Sequence, residues 1–143
     1  MLEIGRVLES DLDAIGRLHA HFGGEASDVS AMAQTLARLE GDPDHFVLAA
    51  RVDGECVGTA TGVVCQGLYG GSDAYLVIED VVVDPAFRRQ GVATALLGEL
   101  ERLAIERSCN QMILLTTTVR ADADALYRAA GFEARWTGFK KKL

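Results

Sequence analysis

The sequence predicts a single α/β domain in which a mixed central β-sheet is flanked by helices. Amphipathic runs with helical spacing alternate with shorter apolar, β-branched runs, which is the pattern of an α/β fold. The 143 residues, 49% hydrophobic and 24% charged, suffice for one domain with a buried core. No repeat, linker or low-complexity stretch divides the chain. We therefore expect residues 1–143 to form one unit with the order β-α-α-β-β-β-α-β-α-β.

The first half of the chain is predicted to form a strand, two helices and a hairpin. Ser10 and Asp13 have the spacing of a capping box, in which a hydroxyl and an acid three residues later satisfy the free amides of a helix start. Asp53-Gly54 is a dipeptide that supplies the positive φ angles of a tight hairpin turn. Apolar residues repeat at helical or strand spacing on either side of these signals. The predicted elements are strands at residues 2–7, 46–52 and 56–64 and helices at residues 12–22 and 29–39.

The second half is predicted to contain the central strand and the longest helix. Residues 75–83 are nearly continuous in apolar side chains, which is typical of a strand covered on both faces. The helix that begins near Ala93 carries apolar residues on one face and acids on the other. Gly131 is placed to end a later helix, with Phe132 folding back onto its last turn. Besides the central strand and the long helix, we predict strands at residues 112–115 and 134–139 and a helix at residues 122–130.

Composition and charge exclude several classes of partner. The net charge of −7 and the pI of about 4.9 oppose binding to a nucleic acid, and no basic stripe with interleaved aromatics offsets them. No apolar run approaches the ~20 residues of a membrane span, and the N-terminus lacks the layout of a secretory signal. We therefore expect no nucleic-acid partner, no membrane partner and a cytoplasmic location.

The cysteines and histidines show no spacing that predicts a metal site or a nucleophile. The three cysteines are odd in number and lack a C-x-x-C pair, which indicates reduced thiols rather than a redox or metal site. His19 and His21 are two residues apart on a predicted helix, about 200° around its axis, so they cannot share one metal. His45 precedes a predicted strand, where we expect it to be exposed. No metal cofactor is predicted.

The loop between the central strand and the long helix is the strongest candidate binding site. The first amides of a helix have no partner of their own, and the macrodipole adds about half a positive charge there. Gly91 lets the backbone approach a ligand closely, and Arg88 and Arg89 add positive charge, so a pyrophosphate would fit. The alternative is an ordinary strand-to-helix turn that favours a glycine. Neither G-x-x-x-x-G-K-[ST] nor a G-x-G-x-x-G after the first strand is present.

The pattern R-x-x-G-x-A of this loop resembles Q/R-x-x-G-x-G/A, the signature of the GCN5-related N-acetyltransferase (GNAT) family. Residues 78–88 are similar to the family's strand and its entry into the loop, and residues 125–132 resemble its late Tyr…Gly-Phe helix. The resemblance implies a GNAT-like domain that uses acetyl-CoA as acyl donor, with the pantetheine arm paired to the backbone of Val81 and Val83. It also implies that this strand splays from the one near residues 112–115. The loop residues that would hold the cofactor are Arg88, Arg89, Gln90, Gly91, Val92, Ala93 and Thr94.

The resemblance also bears on two further positions. Many family members carry a cofactor-contacting Asn seven residues before the tyrosine of the late helix, whereas this chain has Arg120 there. Arg120 would either bind a cofactor phosphate or be solvated. The family gives Tyr127 the role of general acid toward the departing thiolate; by spacing alone, a tyrosine on a helix is more often core packing.

Glu79 is the candidate general base. It interrupts an apolar strand, and burial of a carboxylate raises its pKa and makes it a better proton acceptor. The alternative is a carboxylate held by a neighbouring Arg. Strand alternation places Asp80 on the opposite face, where a structural role is expected. The Glu-Asp pair also resembles the corresponding strand of diamine N-acetyltransferases.

The acceptor is predicted to be a small cationic primary amine. The family usually builds its acceptor pocket from the first two helices and the loop before the central strand. In this chain those segments hold an acidic rim with an aromatic face, suited to a cation: Glu25, Asp28, Tyr69 and Asp73. Acetylation of a protein N-terminus or lysine, or a non-catalytic acyl-CoA-binding module, are the alternatives. A homodimer through an edge strand near the C-terminus is also considered.

Overall fold

The computed structural model describes residues 1–116 and 121–143. Its strands are β1 Leu2–Arg6, β2 His45–Val52, β3 Glu55–Cys65, β4 Ala74–Val83 and β5 Cys109–Leu114. Its α-helices are α1 Leu12–Leu18, α2 Ala20–Gly23, α3 Val29–Leu39, α4 Val92–Glu106 and α5 Ala121–Ala129. Short 3-10 turns at Glu9–Asp11 and Pro85–Phe87 precede α1 and follow β4.

The five strands form one mixed sheet in the order β1-β2-β3-β4-β5. The first four pair antiparallel, and β5 pairs parallel to β4 after the crossover through α4. The hairpin between β2 and β3 turns at Asp53 and Gly54, whose φ angles are 51° and 86°. The predicted α/β class, mixed sheet and hairpin are therefore confirmed.

Each face of the sheet is covered by a different helical layer. On one face, α4 packs its apolar stripe, with Leu96 and Leu100 fully buried, against β-sheet residues such as Leu76. On the other face, α1 and α3 cover a smaller cluster around Leu12 and Ile15. The site described below lies on this second face, where the apolar packing is less complete.

A buried ion pair attaches the start of α1 to the sheet. Asp11 accepts hydrogen bonds from the Arg51 guanidinium, through Nε at 2.9 Å and through Nη2, and from the Leu8 amide at 2.7 Å. Arg51 Nη2 also donates to the Arg6 carbonyl at 2.9 Å. The hydrogen bonds that Arg51 donates to the Asp11 carboxylate raise the pKa of the Arg51 guanidinium. The predicted capping box between Ser10 and Asp13 is wrong, because the acid that bonds back to an amide is Asp11.

Two of the predicted elements differ from the structure. The helix predicted at residues 12–22 breaks after Leu18, so the exposed Phe22 lies on the short α2 rather than on the apolar face of α1. The predicted strand at residues 134–139 is wrong. Trp136 and Phe139 are 76% and 92% exposed, so no sheet face buries them, and the segment forms no ladder with the described strands. By contrast, α5 ends as predicted: Gly131 has φ 93°, and the Phe132 amide donates back to the Tyr127 carbonyl at 3.0 Å.

Candidate active site

A cavity of about 460 Å³ lies between the sheet and the layer formed by α1 and α3. Most of its wall is apolar, whereas exposed residues at its rim carry the charged groups. The apolar wall includes Val7, Leu12, Ile15, Met32, Leu36, Leu39 and Val47. The polar and charged lining consists of His19, Ser27, Asp28, Thr35, His45, Thr59, Thr61, Glu79 and Asp80. Among the described lining residues there is no Lys or Arg.

A β-bulge in β4 brings two carboxylates to the same wall. Thr61 pairs with Glu79 and Thr59 with Val82, so one residue of β3 opposes two residues of β4. Asp80 takes a φ of 54°, a left-handed conformation that Asp tolerates better than most residues. Both Glu79 and Asp80 therefore line the cavity. The prediction that Asp80 lies on the opposite face is wrong, because it assumed an uninterrupted alternation.

The burial pattern shows the same shift of register. Leu76 and Ile78, at even positions, pack in the core beneath α4 before the bulge, and Val83, at an odd position, packs there after it. Glu79 itself is exposed at the cavity rim, so the predicted burial of its carboxylate is wrong. The alternative ion pair with a neighbouring arginine is also not seen among the described residues. Glu79 is thus an exposed carboxylate at the rim of a cavity whose wall is mostly apolar.

Two histidines for which the sequence predicts no role also line the cavity. His19 Nδ1 lies 2.7 Å from Ser27 Oγ, and its ring stacks on Phe22 with centroids 5.8 Å apart. His45 is half-buried at the start of β2, contrary to the expected exposure. A signal for His19 was present, because it follows Leu12 and Ile15 at the i, i+3, i+7 spacing of one helix face.

Among the described residues, the pairing of β4 with β5 ends just before the bulge. Its last pair with β5 joins Ile78 to Leu114, and β4 then continues to Val83 without a β5 partner among the described residues. Glu79 and Asp80 therefore stand where the two parallel strands stop pairing. The backbone of Val81 lies on this open stretch, while the Val83 carbonyl accepts a hydrogen bond of 3.4 Å from Arg88 Nε.

The loop after β4 presents the N-terminus of α4. Gly91 is its N-cap and has φ 81°, and a Cβ there would meet nothing within 4 Å, so the glycine is required by backbone conformation rather than by space. Arg89 is also left-handed, with φ 60°. Arg89, Gln90 and Thr94 are exposed, and the Gln90 side chain donates to the Ala86 carbonyl at 3.3 Å.

The side chains of this loop divide between the core and the surface. Val92 is buried among the residues beneath α4, and Ala93 is half-buried, so only their backbone amides can face a ligand. Because Gly91 has no side chain to cap the helix, the first amides of the 15-residue α4 are free to receive an anion. Arg88 and Arg89 place two positive charges beside them.

Comparison with known proteins identifies the family. The model of the Acetyltransferase (GNAT) family matches residues 12–132, which include the bulge, the loop and every lining residue of the cavity except Val7. The chain belongs to the GNAT acetyltransferase family. Residues 88–93 of this GNAT domain carry the predicted R-x-x-G-x-A pattern at the N-terminus of α4, and the expected fold is confirmed.

Relatives of this GNAT domain include proteins named as acetyltransferases and as aminoglycoside N(6')-acetyltransferases. An acetyltransferase of Pectobacterium atrosepticum is 41% identical over 91 residues, which cover 62% of this chain and 55% of that protein. An aminoglycoside N(6')-acetyltransferase type 1 of Klebsiella aerogenes is 31% identical over 119 residues, covering 80% of this chain and 77% of that protein. The chain spans about half the length of the first of these relatives.

Solved structures share the fold over the whole chain. An acetyltransferase of Trypanosoma brucei superposes with a TM-score of 0.85 at 25% identity, and 100% of both chains is covered. The structure of AAC(6')-Iy in complex with a bisubstrate analogue that contains CoA superposes with a TM-score of 0.79 at 22% identity, covering 100% of this chain and 99% of that one. The described residues therefore share the fold of these structures.

Tyr127 lies on the opposite side of the GNAT sheet from the cavity. It is half-buried on α5 and packs against the core beneath α4, with its ring edge-on to Phe132 at a centroid distance of 6.0 Å. The structure thus does not place Tyr127 in the wall that holds Glu79. Arg120, the other residue carried over near α5, lies outside the described residues.

The predicted acidic rim is only partly assembled in the GNAT domain. Tyr69 and Asp73 line a separate cavity of about 280 Å³ with Tyr75, beside the start of β4. Glu25 is exposed and lines neither cavity. Asp28 alone joins the larger cavity, where it caps α3 by accepting from the Ala31 amide at 3.1 Å. The carboxylates of that cavity are therefore Asp28, Glu79 and Asp80.

Neither a candidate membrane span nor a candidate metal site lies in the described parts of the chain. Within residues 1–116 and 121–143, no helix has the length and apolar character needed to cross a membrane. In the same ranges, no three His, Cys, Asp or Glu side chains are grouped so that they could hold a metal ion. The three cysteines are free thiols, and burial raises the pKa of both Cys56 and Cys109.

Proposed function

We propose that the chain transfers the acetyl group of acetyl-CoA to the primary amine of a small cationic molecule. The observation that carries this proposal is the bulge in β4. It turns Glu79 and Asp80 into the cavity at the point where β4 and β5 stop pairing. Two carboxylates that attract a cationic acceptor thereby lie beside a strand edge. That edge is available to pair with the acyl donor.

The geometry around α4 fits the donor. Free amides at the start of α4, together with Arg88 and Arg89, form an anion site for the pyrophosphate. The edge of β4 at Val81, which has no β5 partner among the described residues, offers backbone groups to the amides of the pantetheine arm, as an added strand would. When bound, acetyl-CoA supplies an activated thioester. Use of this donor is also implied by membership of the GNAT family.

The carboxylates fit the acceptor chemistry. A primary amine has a pKa of about 10 and is protonated at neutral pH, so it must lose a proton before it can attack a carbonyl. Asp28, Glu79 and Asp80 attract the ammonium form, with no described cationic residue in the lining to oppose them. Glu79 or Asp80 then accepts the proton, directly or through a water molecule. Tyr127 as the acid for the departing thiolate stays a prediction.

Relatives support an amine as the acceptor class. The proteins named aminoglycoside N(6')-acetyltransferase act, by those names, on amino groups of small molecules. This chain shares 31% identity with one of them across 77% of that protein's length. The carboxylates of the cavity and these names both support a small amine as the acceptor. Neither defines the rest of the acceptor molecule.

The test is release of the CoA thiol from acetyl-CoA in the presence of a panel of acceptors matched in size but not in charge. We expect turnover with cationic primary amines and at least tenfold lower kcat/KM with amino acids, whose carboxylate opposes the acidic rim. Equal turnover of anionic and cationic amines would contradict the acceptor proposal. Tight acetyl-CoA binding without turnover on small amines or on peptide N-termini would instead favour a non-catalytic acyl-CoA-binding module.

A further inference from the structure

We infer that the acceptor is an amine with an apolar body, an alkyl or aralkyl amine, and that α3 is the element that selects it. This inference rests on the proposed function and narrows its substrate class. It differs from what the names of the aminoglycoside-modifying relatives would suggest, because amino sugars carry many hydroxyl groups. Three features of the cavity carry the inference. They are the apolar face of α3, the apolar wall formed by α1 and the sheet, and the hydrogen bonds that polar groups of the wall already make within the protein.

The apolar face of α3 is only partly buried by the protein. The helix has apolar residues at the spacing of one face, yet none of its 11 residues is buried. Met32, Leu36 and Leu39 line the cavity while remaining partly accessible. An amphipathic helix in a domain of this size normally buries such a stripe in the core. Here the stripe packs on the cluster around Leu12 and Ile15 and also lines the cavity, so an apolar ligand would complete its burial.

The parts of the wall formed by α1 and the sheet are also apolar. Leu12 and Ile15 of α1 are each 3% exposed, and Val7 and Val47 extend the same surface onto the sheet. The cavity is therefore a slot lined by apolar side chains of α3, α1 and the sheet, with a volume within the ~300–1,000 Å³ typical of small-molecule sites. Its carboxylates lie on exposed residues of the rim, which favours a ligand that is charged at one end and apolar along its body.

Several polar groups of the wall already have partners within the protein. Thr59 Oγ1 donates to the Leu48 carbonyl at 2.7 Å, and His19 Nδ1 is paired with Ser27 Oγ at 2.7 Å. Asp28 accepts from the Ala31 amide. A polyhydroxylated acceptor would have to exchange its water hydrogen bonds for few partners in the slot, and each lost hydrogen bond opposes binding. An alkyl or aryl body has no such requirement.

The experiment measures kcat/KM for a series of straight-chain primary amines from propylamine to octylamine, with acetyl-CoA at saturation. We expect about a fourfold increase per added methylene until the slot is filled, since each buried methylene contributes about that factor. The comparators 6-aminohexan-1-ol, 1,6-diaminohexane and glucosamine keep the amine and add polar groups. We expect each to be at least tenfold poorer than hexylamine.

Variants of α3 test the role of the helix. Leu36→Ala and Met32→Ala remove slot surface but retain good helix formers. Both should lower kcat/KM for hexylamine by about tenfold or more and change the value for propylamine by less than threefold. The matched control is Gln34→Ala on the exposed face of α3, which should leave the chain-length dependence intact. Urea midpoints of all three variants establish that the fold is retained.

The outcomes separate this inference from the proposed function. Turnover that is independent of chain length, or glucosamine at least as good as hexylamine, overturns the apolar acceptor and leaves acetyl transfer to amines standing. A steep chain-length dependence that Leu36→Ala does not change overturns the role of α3. No turnover with any amine, despite binding of acetyl-CoA, overturns the proposed function and this inference together.

Discussion

Removal of the Asp11 carboxylate should strongly destabilise the domain. The Asp11 side chain is 5% exposed and that of Arg51 is 15% exposed, so the pair is largely withdrawn from water. Asp11→Ala leaves a buried guanidinium without its carboxylate and the Leu8 amide without its 2.7 Å acceptor. Loss of one partner of a buried pair costs about 3–5 kcal/mol. Because Arg51 retains its 2.9 Å bond to the Arg6 carbonyl, we expect the lower end, about 3 kcal/mol.

A double-mutant cycle shows whether this cost arises from the pair. Arg51→Met should also cost about 3 kcal/mol, because it isolates the Asp11 carboxylate. The double variant Asp11→Ala, Arg51→Met leaves no buried charge at this position. We therefore expect it to lose about as much stability as either single variant, which corresponds to a coupling energy of about 3 kcal/mol.

The assay is urea unfolding followed by circular dichroism, with the free energy of unfolding extrapolated to water and the m-value checked for constancy. Asp124→Ala is the control, since it breaks an exposed ion pair with Arg128 in which both side chains are more than half exposed. The control should change stability by no more than about 0.5 kcal/mol. Additive losses in the double variant, or a loss below about 1 kcal/mol for Asp11→Ala, would refute the reasoning.

Three further predictions follow from the same structure. Gly62→Ala should cost about 1–3 kcal/mol in urea unfolding, because its Cβ would lie 2.7 Å from Cδ2 of the fully buried Leu100; no loss would show that the core yields there. Gly91→Ala should cost about 1–2 kcal/mol through its φ of 81° and weaken acetyl-CoA binding in calorimetry, whereas unchanged affinity would remove the loop from the donor site. Burial raises the pKa of Cys56 and Cys109, so less thiolate is present at a given pH. Both cysteines should therefore react with a thiol reagent at pH 8 more slowly than a free thiol does. Equal rates would contradict their burial.

Features that depend on a few neighbouring residues could be predicted from the sequence. The Asp53-Gly54 turn, the start of α4 after Gly91 and the end of α5 at Gly131 each follow from a local backbone requirement for positive φ. The long stripe of α4 follows from helical period alone. For such elements, the local preference and the tertiary fold agree. Their prediction needs no knowledge of the segments that pack against them.

The composition of the candidate site could not be predicted in the same way. Strand alternation gives Glu79 and Asp80 opposite faces, and only the pairing of β4 with β3 shows the extra residue that turns both to the cavity. Asp73 directly precedes β4, whereas the bulge lies further along that strand. Asp73 therefore lines a different cavity. His19 was accessible to sequence reasoning through its helical spacing, but its role depends on Ser27 across a turn.

The apolar character of the cavity also depends on tertiary packing. The pattern of α3 predicts an amphipathic helix, and such a helix normally buries its apolar face in the core. How much of that face meets other side chains and how much lines a cavity depends on α1 and the sheet, which are distant from α3 in sequence.

The measurement that tests the central claim most directly compares turnover and acetyl-CoA affinity in Glu79→Gln and Asp80→Asn. Both variants remove a charge with little change of shape, and Asn tolerates the left-handed backbone of position 80. Glu55→Gln, on an exposed acid of β3 outside the cavity, is the matched control. We predict that at least one cavity variant lowers kcat with a cationic amine by about 100-fold, as expected for loss of a general base, while its Kd for acetyl-CoA stays within twofold of the unmodified protein. Parallel losses of affinity and turnover, or full turnover in both cavity variants, would contradict the account.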